Sequence, residues 1–183
     1  GAILDRNIIC AYEVENPEFL KRHLELWYQP PEAYERRFCQ LTGGRAPQAA
    51  DEIAMDERSL ELLGITPEEG QTITLQLKMG YDQPVIERQF TLVGWFGYSD
   101  IMNTGFGIVS EAYLTEHAGE LAEASEQTGS QVGLIQCDVT FSNGINISGK
   151  LRAMAEKAGL AEEVEWNENW AYVGAGITDW TSI

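Results

Sequence analysis

Residues 43–96 decide the fold, and they open Gly43-Gly44-Arg45-Ala46-Pro47. Two glycines before an arginine supply a flexible turn, and Pro47 fixes the chain just beyond it. Residues 52–55 read as a brief strand. Asp56 then caps a short helix in which Leu60 and Leu63 face inward, and Gly64 ends it. After a turn at 66–70, residues 72–79 alternate cleanly, with Ile73, Leu75, Leu77 and Met79 on one face and Thr72, Thr74, Gln76 and Lys78 on the other. That is the pattern of an antiparallel strand with one wet side. A loop at 80–84 leads to a second strand at 85–96, where Phe90, Leu92 and Phe96 share a face, so the pair is a β-hairpin. No nucleophile, base and acid converge here. The stretch is a structural signature.

The chain around it has 183 residues, enough for one domain or two small subdomains. Hydrophobic content of 44% and charged content of 22% are those of a globular protein. The net charge of −17 excludes more than the rest of the composition. It argues against nucleic acid, where Lys and Arg must neutralise phosphates, and against docking on anionic lipid. It suits solubility, or a cationic partner such as a basic peptide. Cys10, Cys39 and Cys137 are widely spaced, with no Cys-x-x-Cys, which removes zinc and thioredoxin-type readings. They are compatible with a Cys10–Cys39 disulfide or with three separate buried thiols, Cys137 being a small hydrophobe on a strand. No run is long and apolar enough for a membrane span, and the N-terminus lacks the charged-then-apolar pattern of a signal peptide. The start on Gly1-Ala2-Ile3-Leu4 fits a segment cut from something longer.

On the N-terminal side, residues 7–14 read as a first strand. Asn16-Pro17-Glu18 has the residues of a helix start, and Leu20, Leu24 and Trp27 recur at helical spacing, which predicts a helix stopped by Pro30-Pro31. A second short helix is expected over 31–38. On the C-terminal side, Gly105 belongs to a loop and residues 106–109 to a short strand. Ser110-Glu111 begins a helix to about Ser125 with an inner stripe of Leu114, Ala118, Leu121 and Ala122. A strand over 131–142 places Ile135, Cys137, Val139 and Phe141 on one face. The helix over 148–158 is amphipathic through Ile147, Leu151, Met154, Ala155 and Ala158, and Gly159 closes it. Trp166, Trp170 and Trp180 fall in the last segment, where core packing is the commoner fate over stacking on sugar. Strands and helices mix without a regular βαβ rhythm, so the class is α+β.

Chemistry is sparse. No phosphate-binding glycine loop, nucleophile elbow or His-Glu-x-x-His is present. Gly105-Phe106-Gly107 and Gly174-Ala175-Gly176 lack the required flanks and read as loop glycines. His23 lies beside an apolar stripe with no second histidine near, and general-base work needs a partner in reach. His117 sits mid-helix beside Tyr113 and Leu121, a half-buried or surface position. Acids are plentiful, but nothing pairs two of them for glycosidic chemistry.

The order of elements carries a resemblance. Gly44-Arg45-Ala46-Pro47, Glu52-Ile53-Ala54-Met55, Leu62-Leu63-Gly64, Gly70-Gln71-Thr72-Ile73 and Phe90-Thr91-Leu92-Val93-Gly94 follow one another as in the extracytoplasmic domain of MacB/FtsX-like ABC transporter permeases. Ile108-Val109-Ser110-Glu111-Ala112-Tyr113-Leu114, Val139-Thr140-Phe141-Ser142-Asn143, Asn146-Ile147 and Glu165-Trp166-Asn167-Glu168-Asn169 also resemble that family. The likeness covers most of 43–173 and, more weakly, the first forty residues, which are short for the family.

The resemblance implies a porter-like α/β lobe from 1–48 and 110–183, with a mostly-β lobe, 49–109, inserted into it. It implies structural roles, in turns and close packing, for Gly44, Arg45, Pro47, Glu52, Gly64, Gly70, Val93, Gly94, Asn143 and Asn167. It implies no enzymatic activity, no cofactor and no metal. The expected partners are the transmembrane part of its own permease, a separate cytoplasmic ABC ATPase and an extracytoplasmic substrate or peptide, with no nucleic acid. The domain would sit at the extracytoplasmic face and move with its membrane helices. The alternative is a free-standing secreted acidic module that binds a cationic peptide or carbohydrate. A third reading, an acidic hydrolase, requires paired carboxylates or a histidine beside a nucleophile.

Overall fold

The computed structural model describes residues 2–19, 22–80, 82–100, 104–128 and 131–159. The strands are β1 (Ala2–Ala11), β2 (Glu13–Val14), β3 (Leu24–Tyr28), β4 (Leu41–Gly44), β5 (Glu52–Asp56), β6 (Thr72–Lys78), β7 (Val85–Phe96), β8 (Gly105–Val109) and β9 (Ile135–Phe141). The helices are α1 (Glu57–Leu62), α2 (Glu111–Glu116), α3 (Ala118–Thr128) and α4 (Ile147–Ala158). The fold is α+β. Two units emerge from the pattern of contacts, 5–138 and 1–4 with 139–183.

The sheet runs β2-β6-β7-β5-β8-β3-β1-β9, with β4 added beside β7. The β6–β7 hairpin is antiparallel in continuous register from Thr72↔Thr91 to Lys78↔Val85. Its inner residues Ile73, Leu75, Leu77 and Met79 are buried, as the alternation predicts. The pairs β5–β7 and β3–β8 are parallel, making the sheet mixed. β8 lies between β5 and β3 and is buried along its whole length. Gly105 and Gly107 are therefore not loop residues. They keep a central strand thin where side chains of Leu24, Leu26 and Ile53 crowd it.

The expected helix through Leu20, Leu24 and Trp27 does not form. A 3₁₀ turn at Pro17–Phe19 is followed by β3, which pairs with β1 on one side and β8 on the other. The Asn16 side chain does not act as the expected cap. Its amide donates to Thr74 O (3.0 Å) and its carbonyl accepts from Gln76 N (2.8 Å), so it extends the β2–β6 pairing by one side chain. The helix expected over 31–38 shrinks to a 3₁₀ turn at Pro31–Ala33, and Phe38 beyond it takes a left-handed backbone.

Ser110 caps α2 by accepting from Tyr113 N. The single helix expected beyond it is two, α2 and α3, broken at His117. The inner positions are Tyr113, Leu121 and Ala124, while Ala118 and Ala122 are exposed. β9 is shorter than the predicted strand, and Ile135 and Cys137 on its expected inner face are exposed. Cys10 and Cys39 are buried free thiols. In the second unit, Asn146 caps α4 by accepting from Gly149 N, and Gly159 closes it with φ +73°. There Ala155 is buried, Ile147 and Leu151 are half-buried, and Met154 and Ala158 are exposed. Among the described residues no helix is long and apolar enough to cross a membrane.

Candidate functional site

The residues of the Gly-Gly-Arg-Ala-Pro turn and of β5 meet in one knot. Arg45 Nη1 donates to Glu52 Oε2 (2.8 Å), and the same oxygen accepts the backbone N–H groups of Gln48 (2.7 Å) and Ala49 (3.0 Å). One carboxylate thus ties the turn shut from three directions. The Arg45 guanidinium, with the two backbone donors, holds the Glu52 carboxyl down at about 2. Gly44, with φ +68°, pairs with Gly94, and Arg45 N donates to Val93 O (2.8 Å). Pro47 and Val93 are buried.

Gly64 and Gly70 both adopt left-handed backbones, at φ +67° after α1 and φ +88° before β6. Asn143 lies in the other unit, where its Oδ1 accepts from Lys150 Nζ (2.6 Å) and Ile145 N (3.2 Å). Asn167 and the tail tryptophans fall outside the described residues. The structure therefore gathers Gly44, Arg45, Pro47, Glu52, Val93 and Gly94, sets Gly70 beside them by its N–H to Leu92 O (2.8 Å), and leaves Gly64 and Asn143 elsewhere.

The histidines occupy different settings. His23 Nε2 lies 2.7 Å from Glu25 Oε1, and the other oxygen of that carboxylate accepts from Trp27 Nε1 (2.6 Å). His23, Glu13, Glu15 and Arg22 wall a cleft of about 460 Å³ in which Val14 and Phe19 form the apolar part. Among the described residues no hydroxyl or thiol is hydrogen-bonded to either histidine, and no group of three His, Cys, Asp or Glu side chains is disposed to hold a metal ion.

Two buried polar clusters escape a motif search. Asp56 accepts from Ser59 N (2.8 Å), Ser59 Oγ (2.6 Å) and Phe106 N (3.1 Å), fixing α1 and β8 to the end of β5. Burial raises its pKa against the pull of those three donors. The second cluster centres on Arg88, which donates to Tyr113 Oη and, through Nη2, to Glu120 Oε2 (2.8 Å). Its signal was present in the alternation of β7, since Arg88 has the parity of Phe90 and Leu92. A charged residue on an apolar face needs a partner inside.

No protein-family profile and no curated protein matches the chain by sequence. Solved structures do match by fold. The periplasmic region of MacB from Actinobacillus actinomycetemcomitans superposes with a TM-score of 0.54 at 13% identity, covering 95% of this chain and 74% of that one. A domain assigned to a permease protein from Porphyromonas gingivalis gives 0.38 at 11% identity over 75% of each chain. The chain has the fold of a MacB-like periplasmic domain.

Proposed function

We propose that the chain is the extracytoplasmic domain of an ABC transporter permease, outside the membrane and without catalytic activity of its own. The observation that carries this is the likeness of fold to the periplasmic region of MacB across 95% of the chain. On this reading ATP hydrolysis is assigned to a separate cytoplasmic ATPase subunit. The domain engages an extracytoplasmic ligand and moves with the membrane helices that anchor it. Residues 49–109 form the inserted lobe, and Gly44, Arg45, Pro47, Glu52, Gly64, Gly70, Val93, Gly94, Asn143 and Asn167 shape the domain and bind no ligand.

The ligand is proposed to be cationic. Arg6, Arg36, Arg37, Arg45, Lys78 and Arg88 are paired with the chain's own Glu111, Asp5, Asp138, Glu52, Glu15 and Glu120. Acidic residues outnumber basic ones 29 to 12, so pairing leaves a surplus of carboxylates for a basic peptide.

The coding sequence on either side of residues 1–183 tests the reading. One apolar span of about 20 residues before residue 1 and three after Ile183, with an ATPase gene adjacent, are the expected result. Flanks without such spans overturn it and favour the free-standing secreted module.

A further inference from the structure

We propose that the elbow between α2 and α3 is an acid-operated latch, in which a proton on His117 draws Glu120 away from Arg88 and loosens both helices from the sheet. His117 is the residue at which the two helices part. Its N–H closes α2 on Tyr113 O (3.0 Å), and its carbonyl accepts the first bond of α3 from Leu121 N (3.0 Å). The imidazole is half-buried and packs on Tyr113, with ring centroids 4.4 Å apart and planes tilted by 45°.

The helices are held on the sheet by a short polar chain. Arg88 of β7 donates to Tyr113 of α2 and to Glu120 of α3, one guanidinium thus spanning both helices. Tyr113 is fully buried, against Phe90 at 5.9 Å between ring centroids. Glu120 is held to Arg88 through Oε2 alone, for its Oε1 is buried without a partner. The oxygen that Arg88 uses is also the carboxylate oxygen nearest to His117, 3.5 Å from Nδ1.

A neutral imidazole makes no claim on that oxygen as a charged donor. An imidazolium donates from both nitrogens, and its nearest acceptors are Glu120 Oε2 and, at 3.9 Å, Glu116 Oε1. It competes with Arg88 for Glu120 and sets a second cation near the guanidinium in a half-buried space. The groups facing His117 are Arg88 from β7, Tyr113 and Glu116 from α2, and Glu120 from α3, with the Cys10 thiol of β1 behind Tyr113. Burial and the Arg88 charge lower the histidine's pKa, and the two glutamates oppose them without prevailing. A base with a lowered pKa in the closed state favours the open state when protonated. The latch is therefore fully held above the ordinary histidine value of 6.5 and weakens as pH falls below it.

Amide hydrogen exchange over residues 111–128, corrected for intrinsic rates and measured at about pH 7.5 and pH 5, tests the latch. The wild-type protein is expected to lose about tenfold protection in α2 and α3 at the lower pH while β5 and β6 hold theirs. In His117→Gln that pH-dependent loss is expected to vanish, whereas His23→Gln keeps it. An NMR titration of the wild-type imidazole provides a second readout independent of any variant, with a midpoint below 6.5 expected. An undiminished pH-dependent loss in His117→Gln, or a His117 midpoint at or above 6.5, overturns the proposal.

Discussion

Gly44 and Gly94 face each other across the β4–β7 pair with no room for a side chain on either. A Cβ on Gly44 would press on the Val93 carbonyl oxygen, and one on Gly94 on the Arg45 carbonyl oxygen, both well inside 3.0 Å. The atoms met are backbone, and backbone cannot yield as a side-chain tip can. Gly94→Ala is thus expected to cost about 3 kcal/mol in chemical denaturation. Gly44→Ala adds the left-handed penalty of about 1–2 kcal/mol to a similar clash. By contrast, Gly119, exposed on α3 with open space around it, is expected to accept alanine with a small gain. Equal tolerance at all three positions would show that β4 does not pack on β7 as described.

The Arg45–Glu52 tie makes its own prediction about acid. Because Arg45 and two backbone donors hold Glu52 down at about 2 from an ordinary value of 4.5, the folded state binds its proton less readily than the unfolded chain. The stabilisation is present above the unfolded value and is lost as pH falls from about 4.5 to about 2. Thermal midpoints of the wild type and Glu52→Gln should differ at pH 6 and converge on approach to pH 2. The Arg45 end of the pair is exposed, so added salt should also narrow the gap. A gap independent of pH would mean that Glu52 acts through shape alone.

These two relationships also show what a sequence can and cannot disclose. The turn, β5, α1 and the hairpin were legible because each is set by neighbours in the chain: an alternation, a capping Asp56, a Gly64 that must turn left-handed. β3 was not. Leu24, Leu26 and Trp27 are buried on both faces of β3, and such a run matches helical spacing as readily as strand spacing. Asn16 misled for a related reason. Its amide has the chemistry of a helix cap, but Thr74 and Gln76, some sixty residues away, claim it. β9 and Cys137 failed differently. The alternation was real, but no layer among the described residues buries the face it marks at Ile135 and Cys137. At the knot, Gly44, Arg45, Glu52 and Gly94 were legible as a motif, yet their convergence on one pair of strands was visible only in three dimensions.

Asp56 ties α1 and β8 to the end of β5 through buried hydrogen bonds. It satisfies the Ser59 and Phe106 amides inside the protein, where neither amide has water to fall back on. Asp56→Ala leaves both donors unpaired and removes the cap of α1, a loss expected to reach about 3 kcal/mol. Asp56→Asn retains an acceptor oxygen and should recover part of it. The denaturation midpoints of the two variants decide the matter. If alanine and asparagine are equally costly, the charge rather than the hydrogen bonds holds β8 to α1.

The three thiols divide by environment, and their reactivity should divide the same way. Burial pushes Cys10 and Cys39 up to about 12, and each thiol donates to a nearby backbone carbonyl, Ile8 O for Cys10 and Tyr34 O for Cys39. A thiol that is neither ionised nor accessible is a poor nucleophile. Cys137 is exposed on β9. A maleimide or disulfide reagent at neutral pH is expected to modify one thiol of three in the folded protein and all three in denaturant. Cys137→Ser should abolish the native reaction while leaving stability nearly unchanged. Rapid labelling of Cys10 in the native state would mean that the interior between β1 and the α2–α3 elbow opens far more often than its packing allows. Its rate below pH 6 would then report directly on the latch at His117.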